Sequence, residues 1–405
     1  MTTLWWPGDH RAGPAMSDRA LLAAMVSVEH AWLRCLVDAA VAPASAGAAP
    51  WPDPAAEPAV LASLAVEAER GGNPVIGLVR LLRERLPEPA ATWVHRGLTS
   101  QDVLDTALVL CARDAVAAVR AEVADQVAVL VDLVERHRGT PMVARTLTQP
   151  AVPTTFGAKA ATWLHGVLDA DELLAALALP VQLGGAGGTL ASLVELAGAD
   201  GARSLRRSLA PALGLEQPSA PWHTRRTPVT RLADAAVTAS DAWGRVANDV
   251  LALGRPEVGE LRDGSAGGSS AMPQKANPTL AVLVRRAALA GPQQAAALHL
   301  AAAEQVDERA DGGWHLEWHT IAVLLRRTVV AASHTSDLLR GLSVRTDRMA
   351  ARLAEVEHDV RAEQRSLAGL TGREPLASYD GLVGDLVDEA LARAAEHPRP
   401  RGDRS

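Results

Sequence analysis

Apolar residues in this chain recur at spacings of three and four over long stretches, and this pattern constrains the fold more than any other feature. One run places six such positions on a single stripe: Val116, Val119, Val123, Val127, Leu130 and Val134. That spacing is typical of an α-helix with one buried face, which needs partner helices. Comparable runs occupy residues 17–41, 156–178, 230–254, 279–303 and 318–341. Since sustained strand-like alternation is missing from the sequence, we predict an all-α bundle.

Helix breakers divide this bundle. Pro292 interrupts a long Ala/Leu-rich segment, and because proline lacks an amide hydrogen we expect it to bend that helix. Three segments rich in Pro or Gly predict loops, at residues 42–58, 182–189 and 216–228. The expected division is an N-terminal helical domain over 1–97, a central helical bundle over 98–341 and a small C-terminal helical region over 342–405.

Charge and cysteine content exclude several classes of protein. The 405 residues carry a net charge of −7, which argues against nucleic-acid binding through a broad basic surface. Cys35 and Cys111 are the only cysteines and show no spacing typical of zinc or of a disulfide framework, so we expect a reducing, cytoplasmic setting. No stretch of about 18 uncharged apolar residues is present, so we expect neither secretion nor membrane insertion.

The stretch Gly268–Pro278, reading GSSAMPQKANP, is the most informative polar segment. The chain has 40 Lys plus Arg, of which only Lys159 and Lys275 are lysines, and Lys275 lies inside this loop. A lysine ammonium is a compact charge that can meet a carboxylate or an enolate, whereas arginine suits bidentate contacts. The segment is therefore either an anion-binding loop or a mobile surface loop with a solvated lysine.

Two further polar segments stand out, His95–Thr106 and Arg145–Gly157, and distant segments of a bundle can converge on one pocket. For Thr99, Ser100 and Gln101 the alternative is helix N-capping. For the second segment, the alternative is a structural loop before Pro150 and Pro153.

Two other groups of residues have both a functional and a structural interpretation. His223, Arg225 and Arg226 could clamp carboxylates or form a solvated basic loop. The run from Trp314 to Trp318, which includes His315 and Glu317, could serve catalysis or interhelical packing.

Taken together, these segments resemble the fumarase/aspartase superfamily. Its signature GSSxMPxKxNP is matched without a mismatch from Gly268 to Pro278. HRGLTSQDVLDTALVL, PTTFGAKAATWL, LPVQLGGAGGTLASL, PWHTRRTP and ERADGGWHLEW are similar to the branch of 3-carboxy-cis,cis-muconate cycloisomerases. The resemblance covers roughly residues 14–350. It implies a three-part helical subunit with a long central bundle, a homotetramer with active sites shared between subunits, and no metal or organic cofactor.

The resemblance also implies the chemistry, which is proton transfer next to a carboxylate of a small polycarboxylate substrate. Ser269 matches the family's base, and Lys275 matches the residue that stabilises the anion, so both are the expected catalytic residues. An alkoxide in a Gly/Ser loop beside a lysine is a case of electrostatic preorganisation. From the resemblance and the polar clusters together, we predict these substrate-binding residues: Asn277, His95, Thr99, Ser100, Gln101, Arg145, Thr146, Gln149, His223, Arg226 and His315.

Three positions depart from relatives in ways that bear on the reaction. Many lyases of the superfamily, including adenylosuccinate lyase, pair a His with a Glu where this chain has Leu147 and Val282, and an apolar pair cannot protonate a leaving group. The cycloisomerase branch also lacks that pair, but it usually has His where this chain has Pro150. Either His95, His223 or His315 substitutes for that imidazole, or the protein acts on another substrate.

The sequence therefore favours a cycloisomerase that interconverts 3-carboxy-cis,cis-muconate and the carboxylated muconolactone of aromatic catabolism. The first alternative is a C–N or C–O lyase of the same superfamily, acting on an adenylosuccinate-like, argininosuccinate-like or nitrosuccinate-like substrate. The second is a non-catalytic helical oligomer that keeps the fold.

Overall fold

The computed structural model describes residues 3–265, 267–268, 271–272 and 275–397. Within these residues the chain is mostly helical. The α-helices, numbered α1 to α13 in chain order, are Asp18–Asp38, Pro58–Gly71, Val75–Arg85, Ala90–Trp93, Ser100–Arg136, Phe156–Ala175, Ala191–Leu213, Thr227–Leu253, Thr279–Ala303, Gly313–Arg340, Thr346–Val360, Ala362–Thr371 and Val383–Glu396. Short 3₁₀ helices cover Asp9–Ala12, Ala44–Ala48 and Pro54–Ala56. The prediction of an all-α fold is confirmed, and the six predicted helical runs correspond to α1, α5, α6, α8, α9 and α10.

Four short strands complete the described secondary structure. β1 (Pro141–Thr146) pairs antiparallel with β2 (Gln149–Thr155), and β3 (Leu261–Arg262) pairs antiparallel with β4 (Ser343–Val344). The alternative of a structural loop before Pro150 and Pro153 applies only to the two-residue turn at Leu147 and Thr148, because Arg145 and Thr146 end β1 and Gln149 begins β2. A two-stranded ribbon tolerates proline, since each strand is an edge whose outward amides need no partner.

Helix α9 includes Pro292 and continues to Ala303, so the proline does not end the helix.

Contacts between α-carbons group the chain into two compact units. The first comprises Met1–Ala117, Ala176–Asp234 and Gln293–Val329, and the second comprises Ala118–Ala175, Ala235–Pro292 and Val330–Ser405. The predicted division at residues 97 and 341 stays a prediction.

The core of the first unit is built on α1. Trp32, Leu33 and Leu36 are fully buried on this helix, and the indole Nε1 of Trp32 donates to the carbonyl of Arg96 at 2.7 Å. That hydrogen bond ties α1 to the segment that leads into α5. Among the described helices, α1 alone is long and apolar enough to cross a membrane, and its buried tryptophan and leucines identify it as a core helix.

The second unit is held by a buried polar network as well as by apolar packing. Gln126 on α5 accepts from the indole of Trp243 on α8 at 2.8 Å and donates to the carbonyl of Ala332 on α10 at 3.0 Å. Its amide also donates to Ser336 Oγ at 3.2 Å. Since all these groups are buried, the hydrogen bonds fix how the three helices pack within the unit.

Candidate active site

The signature loop connects β3 to α9. Gly267 and Asn277 join its two ends, and this pair is called the neck of the loop. Gly267 and Asn277 exchange two backbone hydrogen bonds, at 2.8 and 2.9 Å, and the Asn277 amide donates to the carbonyl of Gly268 at 3.2 Å. A Cβ on Gly267 would lie 2.1 Å from Thr279 Oγ1, so only glycine fits there. Lys275 is exposed on this loop, and Ser269 lies outside the described residues.

Asp263 holds both sides of that neck. Its buried carboxylate accepts from the backbone amide of Ser265 at 2.9 Å and from those of Leu280 and Ala281, in the first turn of α9, at 3.1 and 3.4 Å. A carboxylate suits this position because the first amides of a helix have no partner within the helix. Sequence reasoning missed Asp263, although it stands only five residues before the signature begins.

The β1–β2 hairpin carries Arg145, Thr146 and Gln149. The Arg145 guanidinium makes a bidentate ion pair with the buried Glu260 carboxylate, at 2.7 and 2.9 Å. Thr146 and Gln149 are paired across the two-residue turn and are exposed at its end. The turn residues Leu147 and Thr148 have φ of +48° and +73°, and the Leu147 side chain is 96% exposed. The hairpin thus exposes Thr146 and Gln149 beside its turn, while Arg145, in the next pair of residues along the ribbon, is held by Glu260.

In the first unit, Asp102 organises the start of α5. Its carboxylate accepts from the backbone amides of Thr99, at 3.0 Å, and of Gly184 and Gly185, at 2.8 and 3.0 Å. The same carboxylate lies 2.9 Å from Nε2 of the buried His223. Helix α5 begins at Ser100, as the N-capping interpretation of this segment expects. The Asp102 carboxylate, three residues after Thr99, accepts from the Thr99 amide as in a capping box.

One turn along α5, Asp105 forms a buried ion-pair network. Arg226 lies between Asp105, at 2.8 and 3.0 Å, and Glu317, at 2.6 to 3.1 Å, while the indole of Trp314 donates to Asp105 at 2.9 Å. Gln101 donates to Asp105 at 3.2 Å. Burial opposes charge on this guanidinium, but the two carboxylates raise the pKa of Arg226 above its usual range. Burial also raises the pKa of the Glu317 carboxyl, and Arg226 opposes that rise.

Through these contacts, Arg226, Gln101 and His223 stabilise the packing of the first unit. All three side chains are buried and bonded to neighbouring protein groups in the single chain. Their direct contact with substrate stays a prediction. Trp314 packs edge-on against Trp318 with ring centroids 4.7 Å apart, as the packing interpretation of that segment expects.

The remaining predicted residues of the first unit lie nearer its surface. His95 and Ser100 line an open cleft of ≈ 500 Å³. Nδ1 of His95 lies 2.6 Å from Oε1 of the buried Glu29. Thr99 Oγ1 accepts a hydrogen bond from Arg309, which sequence reasoning did not single out. His315 is exposed and its Nε2 donates to the carbonyl of Gly72 at 2.9 Å.

The predicted residues thus fall into local groups. Gln101, His223 and Arg226 share one buried network, and His95 and Ser100 share the cleft. In the second unit, Lys275 and Asn277 stand in the signature loop, and Arg145, Thr146 and Gln149 stand on the hairpin. Within the described residues, no group of three or more His, Cys, Asp or Glu side chains is arranged to hold a metal ion.

The chain matches a family of known proteins. The sequence model of the lyase family matches residues 64–290, which is more than half of the chain. The chain therefore belongs to the fumarase/aspartase superfamily of lyases.

Two relatives and one solved structure are similar over most of the chain. The chain is 45% identical to a nitrosuccinate lyase of Streptomyces davaonensis, over 95% of this chain and 81% of the relative. It is 36% identical to a 3-carboxy-cis,cis-muconate cycloisomerase of Pseudomonas aeruginosa, over 95% of this chain and 83% of the relative. The crystal structure of the 3-carboxy-cis,cis-muconate lactonizing enzyme of Pseudomonas putida superposes with a TM-score of 0.79 at 30% identity, covering 96% of this chain and 87% of that one.

Proposed function

We propose that this protein is a lyase that expels nitrite from nitrosuccinate, leaving fumarate. The observation that carries the proposal is the apolar character of the two positions where many relatives hold an acid relay. Leu147 is 96% exposed at the end of the hairpin, and Val282 is 51% exposed on α9. Neither side chain can donate a proton, which favours a leaving group that is stable as an anion.

Nitrite meets that requirement and an amine does not. A C–N bond to an amine breaks readily only when the nitrogen is protonated, which is the task of the relay. Nitrous acid is about as acidic as a carboxylic acid, so nitrite leaves as the free anion. This difference disfavours adenylosuccinate-like and argininosuccinate-like substrates, and it agrees with the 45% identity to a nitrosuccinate lyase.

The proposed reaction removes one proton and one anion. Ser269 takes the proton from the methylene carbon next to a carboxylate, and the electron pair spreads onto that carboxylate as an enediolate. The C–N bond then breaks, its electrons leave with nitrite, and the carbon–carbon double bond of fumarate forms. Lys275 lies in the same loop and would stabilise the enediolate, because a fixed cation favours the state in which negative charge develops.

The neck contacts of Asp263 and Asn277 support this assignment. They hold the two ends of the loop together, which reduces the reorganisation needed to place Lys275. A loop of this construction is less expected in an oligomer that has lost its chemistry, which is why the non-catalytic alternative ranks below both enzymatic ones.

Cycloisomerisation of 3-carboxy-cis,cis-muconate is the second candidate. In that reaction a carboxylate adds across a double bond of the same molecule, so no leaving group needs a proton and Leu147 and Val282 are equally compatible. The similarity to the Pseudomonas cycloisomerases favours it. Pro150, which has no side-chain donor or acceptor where that branch usually has His, ranks it below nitrite elimination.

Assembly into a homotetramer belongs to the same proposal. Helix α9 exposes Val282 and Leu289, which are seven residues apart and so lie on one face of the helix. An exposed apolar stripe of this kind is typical of a surface that another chain covers. A second copy of this chain is the partner that the family resemblance implies.

One pair of assays tests the function. Purified protein is incubated with nitrosuccinate while nitrite and fumarate are measured against an enzyme-free blank, and separately with 3-carboxy-cis,cis-muconate while loss of the conjugated-diene absorbance is followed. We expect nitrite and fumarate in equal amounts from the first and no absorbance change in the second. Diene loss without nitrite release would instead establish the cycloisomerase.

Two variants accompany the assays. Ser269→Ala should abolish turnover, since it removes the proposed base. The control is Ser27→Ala, because Ser27 is exposed on α1 and its hydroxyl contacts only the carbonyl of Ala23. Full activity in Ser269→Ala would remove Ser269 from the mechanism, and inactivity of the wild type on both substrates would overturn both candidates.

A further inference from the structure

A cavity of ≈ 350 Å³ lies entirely within the second unit. Its walls come from both strands of the β1–β2 hairpin, from α6 and α8, and from the first turn of the C-terminal helix α13. The volume is at the lower end of the range for small-molecule sites, so the cavity suits a small ligand. Lys159, Arg245 and α13, which all border it, have no part in the proposed reaction.

The cavity carries an excess of positive charge. Arg145, Lys159 and Arg245 line it, and of the described residues that line it none is Asp or Glu. Arg145 is neutralised by its bidentate pair with Glu260. The other two cations share one carboxylate, because Asp249 lies 3.3 Å from Nζ of Lys159 and 3.3 Å from Nη2 of Arg245. Two positive charges thus face one negative charge, which leaves one positive charge for an anion.

The Lys159 ammonium has unused donors. Its side chain is 20% exposed, and its contact with Asp249 is its one hydrogen bond among the described residues. An ammonium group has three N–H donors. Asp249 also accepts from the indole of Trp163 at 2.8 Å, so the carboxylate is fixed on the side of α6 and α8. The remaining N–H groups of Lys159 are therefore available to a ligand in the cavity.

Two uncharged groups add polar contacts to the same cavity. Arg393 donates to Nδ1 of His165 at 3.2 Å, so in the neutral ring the proton is on Nε2. This Nε2 has no hydrogen-bond partner in the described part of the chain. Thr154 supplies a hydroxyl from β2. The polar lining thus consists mainly of donors, which suits a ligand whose oxygens accept.

The rest of the lining is apolar. Val383 and Leu386 of α13 are three residues apart and so lie on one face of that helix, and Ala158 and Ala161 of α6 also line the cavity. Leu386 is 54% exposed in the single chain, and a ligand beneath it would cover part of its surface. A ligand that fits both parts of the lining has an anionic head and a short apolar body.

We propose that this cavity binds a small monocarboxylate, with its carboxylate on Lys159 and Arg245 and its apolar body against Val383 and Leu386. One negative charge matches the one positive charge left over, and hydrogen bonds from charged donors to a carboxylate are the strong ones. The same ligand would contact β1, β2 and α13, so its binding joins the C-terminal helix to the hairpin. The site is independent of nitrosuccinate turnover.

Butyrate is the probe, since it combines one carboxylate with a short alkyl chain. A ligand-observed NMR titration of the full-length protein measures its Kd. 1-Butanol keeps the apolar body without the charge, and inorganic phosphate carries charge without the apolar body. We expect the Kd of butyrate to be about tenfold or more below those of both. Phosphate binding as tight as that of butyrate would overturn the assignment of a monocarboxylate.

Two variants test the cationic end of the site. Arg245→Gln leaves Asp249 paired with Lys159, and because Arg245 is 59% exposed the variant should fold; the Kd of butyrate should rise about fivefold. Lys159→Met should raise it about tenfold or more. The matched control is Arg136→Gln, since Arg136 is also 59% exposed and pairs with an aspartate four residues away, but lies outside the cavity. This variant should bind butyrate like the wild type.

Hydrogen exchange locates the bound probe. Butyrate should slow amide exchange in β1, β2 and the first turn of α13 of the wild type, and should have a smaller effect at the same concentration in Arg245→Gln. Such protection supports the site even when the protein releases no nitrite. Absence of butyrate binding, or equal Kd values for the wild type, Arg245→Gln and Lys159→Met, would overturn the site whether or not nitrosuccinate is turned over.

Discussion

Nη2 of Arg226 lies 2.6 Å from Oε2 of Glu317, and both side chains are only 1% exposed. The same guanidinium also pairs with Asp105, so one cation neutralises part of the charge of two buried carboxylates. Asp105 comes from α5, Arg226 directly precedes α8 and Glu317 comes from α10. The triad thus connects these three segments within the first unit. It adjoins Gln101, one of the predicted substrate-binding residues, which donates to Asp105.

Removing the cation from this triad should be strongly destabilising. Arg226→Met leaves Asp105 and Glu317 buried and uncompensated, and we expect the free energy of unfolding to fall by about 3–5 kcal/mol. Urea denaturation followed by circular dichroism measures the change. The control is Arg203→Met, whose partner Asp200 is 98% exposed, and which should shift stability by about 0.5 kcal/mol or less. Equal effects from the two variants would show that the buried triad contributes no more than a surface pair.

Asp263 should control the order of the signature loop. Asp263→Ala removes the acceptor for the amides of Leu280 and Ala281, and loss of a helix cap costs about 0.5–2 kcal/mol. Hydrogen exchange at these two amides should accelerate, and turnover should fall by more than the loss of stability explains, because the neck no longer positions Lys275. Asp200→Ala, on the exposed surface of α7, is the control. Unchanged exchange at Leu280 would contradict the clamp.

The C-terminal helix α13 should loosen in acid. Arg138 hydrogen-bonds the carboxylate of Asp388, and that contact lowers the pKa of Asp388 below its usual value. A lowered pKa means that the contact stabilises the folded state fully above the ordinary Asp value, about 4, and is lost as the pH falls through the lower folded value. Hydrogen exchange in α13, corrected for the intrinsic rate, should therefore increase between pH 5 and pH 3, taken as roughly one unit either side of that value.

Arg138→Gln is the matched variant for that experiment. It removes the cation that favours ionised Asp388, so the pH dependence of exchange in α13 should become shallower. The remaining dependence would come from the other ion pairs of this helix, those of Arg393 with Asp169 and Glu172. Identical pH profiles for wild type and variant would exclude the Arg138–Asp388 contact as a determinant of docking.

Much of the site could be located from the sequence, but its internal contacts could not. Polar residues mark the segment His95–Thr106 in the sequence, and Asp102 and Asp105 lie within it. Their partners His223 and Arg226 are 121 residues away, and no local pattern relates such positions. Glu29 is a stronger case, since a single acid on an apolar helical stripe gives no indication that an imidazole 66 residues later approaches it.

The hairpin at residues 141–155 shows where local rules misled. Pro150 and Pro153 argue against a strand in the interior of a sheet, and this two-stranded ribbon has no interior strand. Its turn is made by Leu147 and Thr148, neither of which is typical of a turn with positive φ. Surrounding structure, including the Arg145–Glu260 ion pair at 2.7 Å, holds the ribbon in spite of these residues.

The sequence by itself determined the helical class, because a stripe of apolar residues every three or four positions can be buried only by packing helices together. It also determined the family, through the unbroken match from Gly268 to Pro278. Only the tertiary structure decided that Glu29 meets His95 and that Arg226 lies between Asp105 and Glu317. The reason is physical: the periodicity of a helix is a property of neighbouring residues, whereas an ion pair forms only where the packed chain brings distant charges within a few ångströms and excludes water from them.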